Sequence, residues 1–315
     1  MKSLTPLKIG IIGLGPVGSV LAVHLKVAGM EVFGCDIDKK KITAIQKQGI
    51  RLVNAIQRHE FLSSVCRSIP ELMKDQLDLV AIAVKAPYLS AVISQLEECK
   101  GSFFVLSAQN GIDNEQELAR VFGPERTLRM VINYAGNMVD QSTVQVTFFN
   151  PPNYLAPLRS EGRELVNALV AGLDKANLET QIPERINYFI WEKAILNASL
   201  SPVCALTGKT MQEVMDYSTG RELVTAIIKE GVQVAAAAGI VFPAGFVSHC
   251  LHYLDQGGNH RPSMLVDLDL QRPTEINQLN GKLVEYGLLY GIETPMNRTV
   301  TTLIRLLEQE YLSKN

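Results

Sequence analysis

A chain of 315 residues, 47% hydrophobic and 20% charged, is long enough for two domains and too apolar to stay disordered. Thirty Lys and Arg against 32 Asp and Glu leave a net charge of −2, without the basic excess of a general nucleic-acid binder. Five scattered cysteines (Cys35, Cys66, Cys99, Cys204, Cys250) form no C-x-x-C pair, which argues for reduced thiols in a cytoplasmic protein and against a disulfide framework.

The first 23 residues carry a lysine and an apolar run, as an export signal does. Gly10, Gly13, Gly15, Pro16 and Gly18 interrupt the run and suit a strand–turn–helix instead. Residues 7–12 predict a short buried strand, 19–28 a helix, 31–35 a second strand, 77–84 the most apolar strand and 102–106 another. Further strands are expected at 127–131 and 143–149, with a helix around 161–176. Such alternation implies right-handed crossovers and a Rossmann-type doubly wound parallel sheet, an α/β fold.

After Pro183 the pattern changes. Residues 185–312 show helical periodicity with almost no β-branched alternation, so an all-helical C-terminal domain is expected, with the boundary inside 180–187. The expected division is a dinucleotide-binding domain over 1–182 and a helical substrate domain over 183–315. Thr274 before Glu275 reads as a helix cap, and Thr294-Pro295 places proline at a first helical position. Residues 231–254 lack any Asp, Glu, Lys or Arg. They hold Gln233, Gly239, Pro243, Gly245, Ser248, His249 and His252, which predicts a buried helix and loop and no membrane span.

Gly13-Leu14-Gly15-Pro16-Val17-Gly18 is a G-x-G-x-x-G pattern that follows a predicted strand and opens a predicted helix. In that setting Gly13 permits the tight turn, Gly15 lets the backbone approach a pyrophosphate, and Gly18 allows close helix–strand packing. The helix start adds free N–H groups and the positive end of its dipole. Asp36 closes the second strand, 18 residues after Gly18. An acid there accepts hydrogen bonds from ribose hydroxyls and repels a 2′-phosphate, which favours NAD(H) over NADP(H). Lys39, Lys40 and Lys41 follow it, either as an exposed helix start or within reach of a phosphate.

Four further segments bear on chemistry. Val84-Lys85-Ala86 ends the most apolar strand, at the edge where open α/β sheets bind ligands, and Gln109-Asn110-Gly111 holds the equivalent place after the next strand. Trp191-Glu192-Lys193 and Asn197 put Lys193 and Asn197 on one helix face. Ser263-Met264-Leu265-Val266-Asp267 precedes Arg272-Pro273-Thr274-Glu275-Ile276-Asn277 and Asn280-Gly281. In isolation Lys193 reads better as a surface lysine, Glu275 as a helix-start acid and Ser263 as a cap. Asp267 reads evenly as structural or functional. His249-x-x-His252 has no third ligand nearby, so no metal is expected, and Trp191 is read as core packing.

With the glycine loop, this ordered set resembles the ketopantoate reductase (2-dehydropantoate 2-reductase) family over essentially the whole chain. The resemblance implies hydride transfer from a reduced nicotinamide to the C2 ketone of 2-dehydropantoate, giving (R)-pantoate for pantothenate and coenzyme A synthesis. It assigns Lys193 as the catalytic lysine and Glu275 as its acidic partner. Asn197, Ser201 and Ser263 match substrate-binding positions, while Lys85 and Asn110 match the nicotinamide end, with Asn110 also facing substrate. The partner implied is a small 2-keto acid, with neither nucleic acid nor membrane, and the chain is a monomer or homodimer.

Two positions depart from the family pattern. A second Asn is usual four residues after the first, where this chain has Ser201. A basic residue after the second strand, suited to NADP(H), is usual where this chain has Asp36. Both departures point to an alternative, an NADH-dependent reductase of other branched 2-keto acids that forms D-2-hydroxy acids. A non-catalytic NAD-binding sensor is the alternative from another class, and it has no use for a proton donor such as Lys193.

Overall fold

The computed structural model describes residues 6–99 and 101–313. Its contacts form two compact units. One comprises Met1–Gln109 and Asp113–Ile186; the other comprises Asn110–Ile112 and Asn187–Asn315.

The first unit holds the strands β1 (Lys8–Ile12), β2 (Glu31–Cys35), β3 (Ile50–Asn54), β4 (Arg58–Glu60), β5 (Ser64–Cys66), β6 (Leu79–Ile82), β7 (Phe104–Ser107), β8 (Thr127–Val131), β9 (Tyr134–Met138), β10 (Thr143–Phe149), β11 (Asn153–Pro157) and β12 (Thr180–Gln181). Its helices are α1 (Pro16–Val27), α2 (Lys39–Gln48), α3 (Ile69–Leu72), α4 (Leu89–Glu97), α5 (Asn114–Phe122) and α6 (Arg163–Lys175). The main sheet has the order β12-β11-β8-β7-β6-β1-β2-β5. Alternate residues of β1 and β6 serve different cores. Ile9, Ile11, Leu79 and Ala81 pack with Val20 and Leu21 of α1, whereas Ile12, Val80 and Ile82 pack with Leu89, Val92 and Leu96 of α4. A sheet covered on both faces explains the unbroken apolar runs that reveal these strands in the sequence.

Two features depart from the sequence reading. β11 pairs antiparallel with β8, so the sheet is mixed at that end. β10 is the strand expected at 143–149, but it pairs with β3 and β9 in a separate four-stranded sheet, of order β4-β3-β10-β9, that the sequence reading did not anticipate. Helix α1 contacts strands of both sheets and is buried around most of its circumference, as a helix apolar on all sides must be. His24 on α1 joins that interior: burial lowers its pKa, and its Nδ1 lies 2.7 Å from the Val20 carbonyl.

The second unit contains α7 (Ile186–Thr207, whose first residue belongs to the first unit), α8 (Met211–Met215), α9 (Ser218–Ala237), α10 (Phe246–Asp255), α11 (Ser263–Asp269), α12 (Asn280–Tyr290) and α13 (Pro295–Leu312). Residues 231–254 form the end of α9, a loop and most of α10. No helix among the described residues is long and apolar enough to cross a membrane.

Pro202 lies inside α7 and has no N–H for the carbonyl of Ala198. Asn280 donates its side-chain amide to that carbonyl at 2.9 Å and to Asn297 Oδ1 at 3.0 Å. Glu230 in turn accepts the backbone N–H groups of Met296 and Asn297, the first available donors of α13 after Pro295, at 2.8 and 2.9 Å. This buried chain of polar contacts closes the break in α7 and fixes the start of α13, where Thr294-Pro295 was expected to open a helix. Thr274 is different. It caps no helix; its Oγ1 accepts the Ile276 N–H at 3.2 Å inside a turn, and α12 begins only at Asn280.

Candidate active site

The glycine loop joins β1 to α1. Gly13 has φ +94°, and a Cβ there would lie 2.7 Å from the backbone nitrogen of Val84, so both conformation and packing require glycine. A Cβ on Gly18 would lie 1.9 Å from the Gly13 carbonyl oxygen. A Cβ on Gly15 would meet nothing within 4 Å, so the loop is open where a phosphate has to approach. No side chain caps α1 and no acid sits in its first turn. The helix start offers its N–H groups and dipole to an anion, and these residues fit a dinucleotide.

Asp36 is 9% exposed and anchors this arrangement. Its Oδ2 accepts the Leu14 N–H and the Lys41 ammonium, both at 2.9 Å, while Oδ1 accepts the Asp38 N–H at 3.0 Å. Of the three lysines left open by the sequence, Lys41 is the one paired with the acid. Lys40 contributes its backbone N–H to the Asp38 cap of α2.

At the carboxyl edge of the same sheet, Lys85 is half-buried and precedes a single turn of 3₁₀ helix (Ala86–Tyr88). A polar relay missing from the sequence reading lies behind it. Arg129, 2% exposed, donates to Ser107 Oγ at 2.7 Å; Ser107 donates to Gln109 Oε1 at 3.3 Å; Gln109 donates to the Val84 carbonyl at 3.0 Å. The relay ties the ends of β6 and β7 together. Glu115 stands 3.6 Å from Arg129, and burial pushes its carboxyl upward against the opposing pull of that guanidinium.

In the second unit a small pocket is lined by Asn197, Ser201, Ser263, Met264, Asp267, Glu275 and Leu279. Four of the expected substrate and catalytic positions, Asn197, Ser201, Ser263 and Glu275, therefore converge. Asn110 joins them, since residues 110–112 cluster with this unit and the Asn110 amide donates to Glu275 Oε2 at 3.1 Å. Lys193 is not a lining residue; it is half-buried on α7, one turn before Asn197 and two before Ser201. Ser263 opens α11 behind Pro262, so it is no cap, and Glu275 lies in the turn before α12, so it is no helix-start acid. Asp267 adds a second buried acid to the pocket.

Trp191 is core, edge-on to Tyr286 with ring centres 5.1 Å apart. His249 lies 3.9 Å from Glu192, whose carboxyl burial pushes upward, and no cluster of three metal-ligating side chains occurs among the described residues.

The family model Ketopantoate reductase PanE/ApbA matches residues 9–159, and its C-terminal counterpart matches residues 185–308. The chain belongs to the ketopantoate reductase family. Membership makes it an NAD(P)-dependent oxidoreductase acting on a CH–OH group. A relative from Pyrococcus abyssi, named 2-dehydropantoate 2-reductase, is 30% identical over 301 residues, covering 95% of this chain and 97% of its own. Two solved structures superpose with TM-scores of 0.87 at 25% identity. One is 2-dehydropantoate 2-reductase from Geobacter metallireducens, covering 95% of this chain and 99% of its own. The other is D-mandelate dehydrogenase in a ternary structure with NADH and anilino(oxo)acetate, covering 97% of this chain and 99% of its own.

Proposed function

We propose that this family member reduces 2-dehydropantoate to (R)-pantoate with NADH, with Lys193 and Glu275 as its catalytic residues. The observation that carries the reading is the pocket where Asn197, Ser201, Ser263 and Glu275 meet, with Asn110 on Glu275. When bound, the nicotinamide supplies the hydride for C2 of the keto acid. The protein has to stabilise the negative charge that develops on the ketone oxygen and then protonate it, and the Lys193 ammonium is the residue for both tasks. Asn197, Ser201 and Ser263 offer neutral donors to a small carboxylate and hydroxyl, and Asn110 orients the Glu275 carboxylate.

A second reading has specific support. Ser201, a short hydroxyl where the family usually has an amide, lines the pocket, and the structurally similar D-mandelate dehydrogenase was solved with NADH. This alternative is an NADH-dependent reductase of other branched 2-keto acids. Steady-state kcat/KM across 2-dehydropantoate, 2-ketoisovalerate and an aryl 2-keto acid separates the two, with 2-dehydropantoate expected to rank first. In the same assay Ser201→Asn is expected to raise the ratio of 2-dehydropantoate to 2-ketoisovalerate by roughly 2- to 10-fold, the effect of one hydrogen bond of ~0.5–1.5 kcal/mol. An unmoved ratio removes Ser201 from substrate recognition.

For the cofactor, NADH is expected to be preferred over NADPH. Two unit charges 4 Å apart repel by roughly 4 kcal/mol at an effective dielectric near 20. The bond from Lys41 and the mobile ions of solvent reduce that. A residue of ~1.4 kcal/mol still gives a tenfold ratio of kcat/KM. Asp36→Ala is expected to erase most of the ratio and also to weaken NADH binding, because the Leu14 N–H loses its acceptor. An NADPH preference in the unaltered protein, or an unchanged ratio in the variant, contradicts the assignment.

A further inference from the structure

The turn that carries Glu275 has neither helix nor strand to hold it, yet the side chain is only 6% exposed and takes a defined hydrogen bond from Asn110. One side of the turn is fixed by residues 110–112. Ile112 donates its N–H to the Gln278 carbonyl at 3.0 Å, and Gly111, with φ +102°, lies so close that a Cβ would come 2.6 Å from Gln278 Cβ. The other side is fixed by α13. Arg305 donates to Asn277 Oδ1 at 2.8 Å, Glu308 Oε1 accepts the Thr274 N–H at 2.6 Å, and Tyr311 donates to the Arg272 carbonyl at 3.0 Å. Positions 305, 308 and 311 recur every three residues, so one helix face grips the turn at successive points.

Glu308 differs from its two neighbours. Its bond is the one of the three that is buried, and it holds the residue next to Glu275 in the chain. The inner face of α13 is otherwise Asn297, Val300, Thr301 and Ile304, a spacing that asks for an apolar side chain at 308. A carboxylate 7% exposed is costly to bury there unless a donor meets it, and the Thr274 amide is that donor. Tyr311, its hydroxyl pushed up to about 12 by burial with Glu308 and Asp267 adding to the effect, stays a donor to the same turn.

We propose that Glu308 is a positioning residue for catalysis, fixing through the Thr274 amide where Glu275 presents its carboxylate in the pocket. The inference rests on the assignment of Glu275 as catalytic. The test compares Glu308→Ala, Glu308→Gln, Glu275→Ala and the double variant Glu275→Ala/Glu308→Ala in the whole protein. Turnover of 2-dehydropantoate with NADH is read beside NADH affinity by fluorescence and the melting curve.

A misplaced catalytic group is expected to cost Glu308→Ala roughly 10²-fold in kcat, with NADH affinity unchanged. Glu308→Gln, whose amide oxygen still accepts the Thr274 N–H, is expected to keep most of its turnover. The double variant is expected to be no slower than Glu275→Ala. If Glu308→Ala fails to fold, Glu308→Asp, too short to keep the bond, carries the same comparison.

Full turnover in Glu275→Ala overturns the assignment of Glu275, and this inference falls with it. A slow Glu275→Ala beside a normal Glu308→Ala overturns the inference alone. So does a double variant slowed by the product of the two single effects, or a Glu308→Gln as slow as Glu308→Ala.

Discussion

Lys193→Ala is expected to lower kcat by about 10²–10⁴-fold, the usual contribution of a positioned general acid, while NADH binds as before. The lysine shares α7 with Asn197 and Ser201, at successive intervals of four residues. That spacing puts all three on one side of the helix, and the second and third line the pocket. Alanine keeps the helix, since it is the best helix former, so the loss falls on chemistry and not on folding. Steady-state kinetics beside NADH fluorescence titration makes the comparison. Near-normal turnover with intact NADH affinity shows that the proton comes from another group.

Arg129→Met is expected to lower stability by ~3–5 kcal/mol, the common cost of removing one partner from a buried ion pair. The variant leaves Glu115 buried and takes away the main influence holding its carboxyl down. Ser107 loses its 2.7 Å donor as well, so the relay to Gln109 and the Val84 carbonyl is cut at its source. At ~2–4 °C per kcal/mol for a unit of this size, the melting point should fall by roughly 6–20 °C. Replacing both charges, as Arg129→Met/Glu115→Leu, is expected to recover most of the loss, because an apolar pair of similar volume has no charge left to desolvate. Differential scanning calorimetry of the two variants decides the matter. A single variant that melts with the unaltered protein assigns no energetic role to the pair.

The nucleotide loop was legible in the sequence because its glycine spacing follows a strand and opens a helix, and two of the three glycines meet a steric demand: Gly13 a positive φ, Gly18 the closeness of the Gly13 carbonyl. The helical domain was legible as helices through its apolar periodicity. The pocket was not legible from spacing. Asn197, Ser263 and Glu275 are brought together by tertiary packing, and only their joint resemblance to a family gathered them beforehand.

Of the small sheet β10 was legible as a strand, while β4 with three residues and β9 with only one fully buried position carry too little alternation to read as strands. Thr274 misled because a threonine followed by a glutamate is a common helix start. The Thr274 Oγ1 instead accepts the Ile276 N–H inside a turn, and the helix begins only at Asn280. Glu308 itself looks like an ordinary solvated acid among Glu310, Gln309 and Tyr311. Pro202 was a usable signal that went unread: a proline inside a helix leaves a carbonyl seeking a donor, and Asn280 is that donor.

The proposed reaction is reduction of a 2-keto acid at C2, with 2-dehydropantoate as the substrate. The most direct measurement supplies NADH deuterated at C4 on the transferred face, together with 2-dehydropantoate and the purified protein, and analyses the product by mass spectrometry and chiral chromatography. The expected product is (R)-pantoate carrying one deuterium at C2, formed in step with loss of absorbance at 340 nm. Absence of pantoate, or pantoate without deuterium at C2, contradicts it.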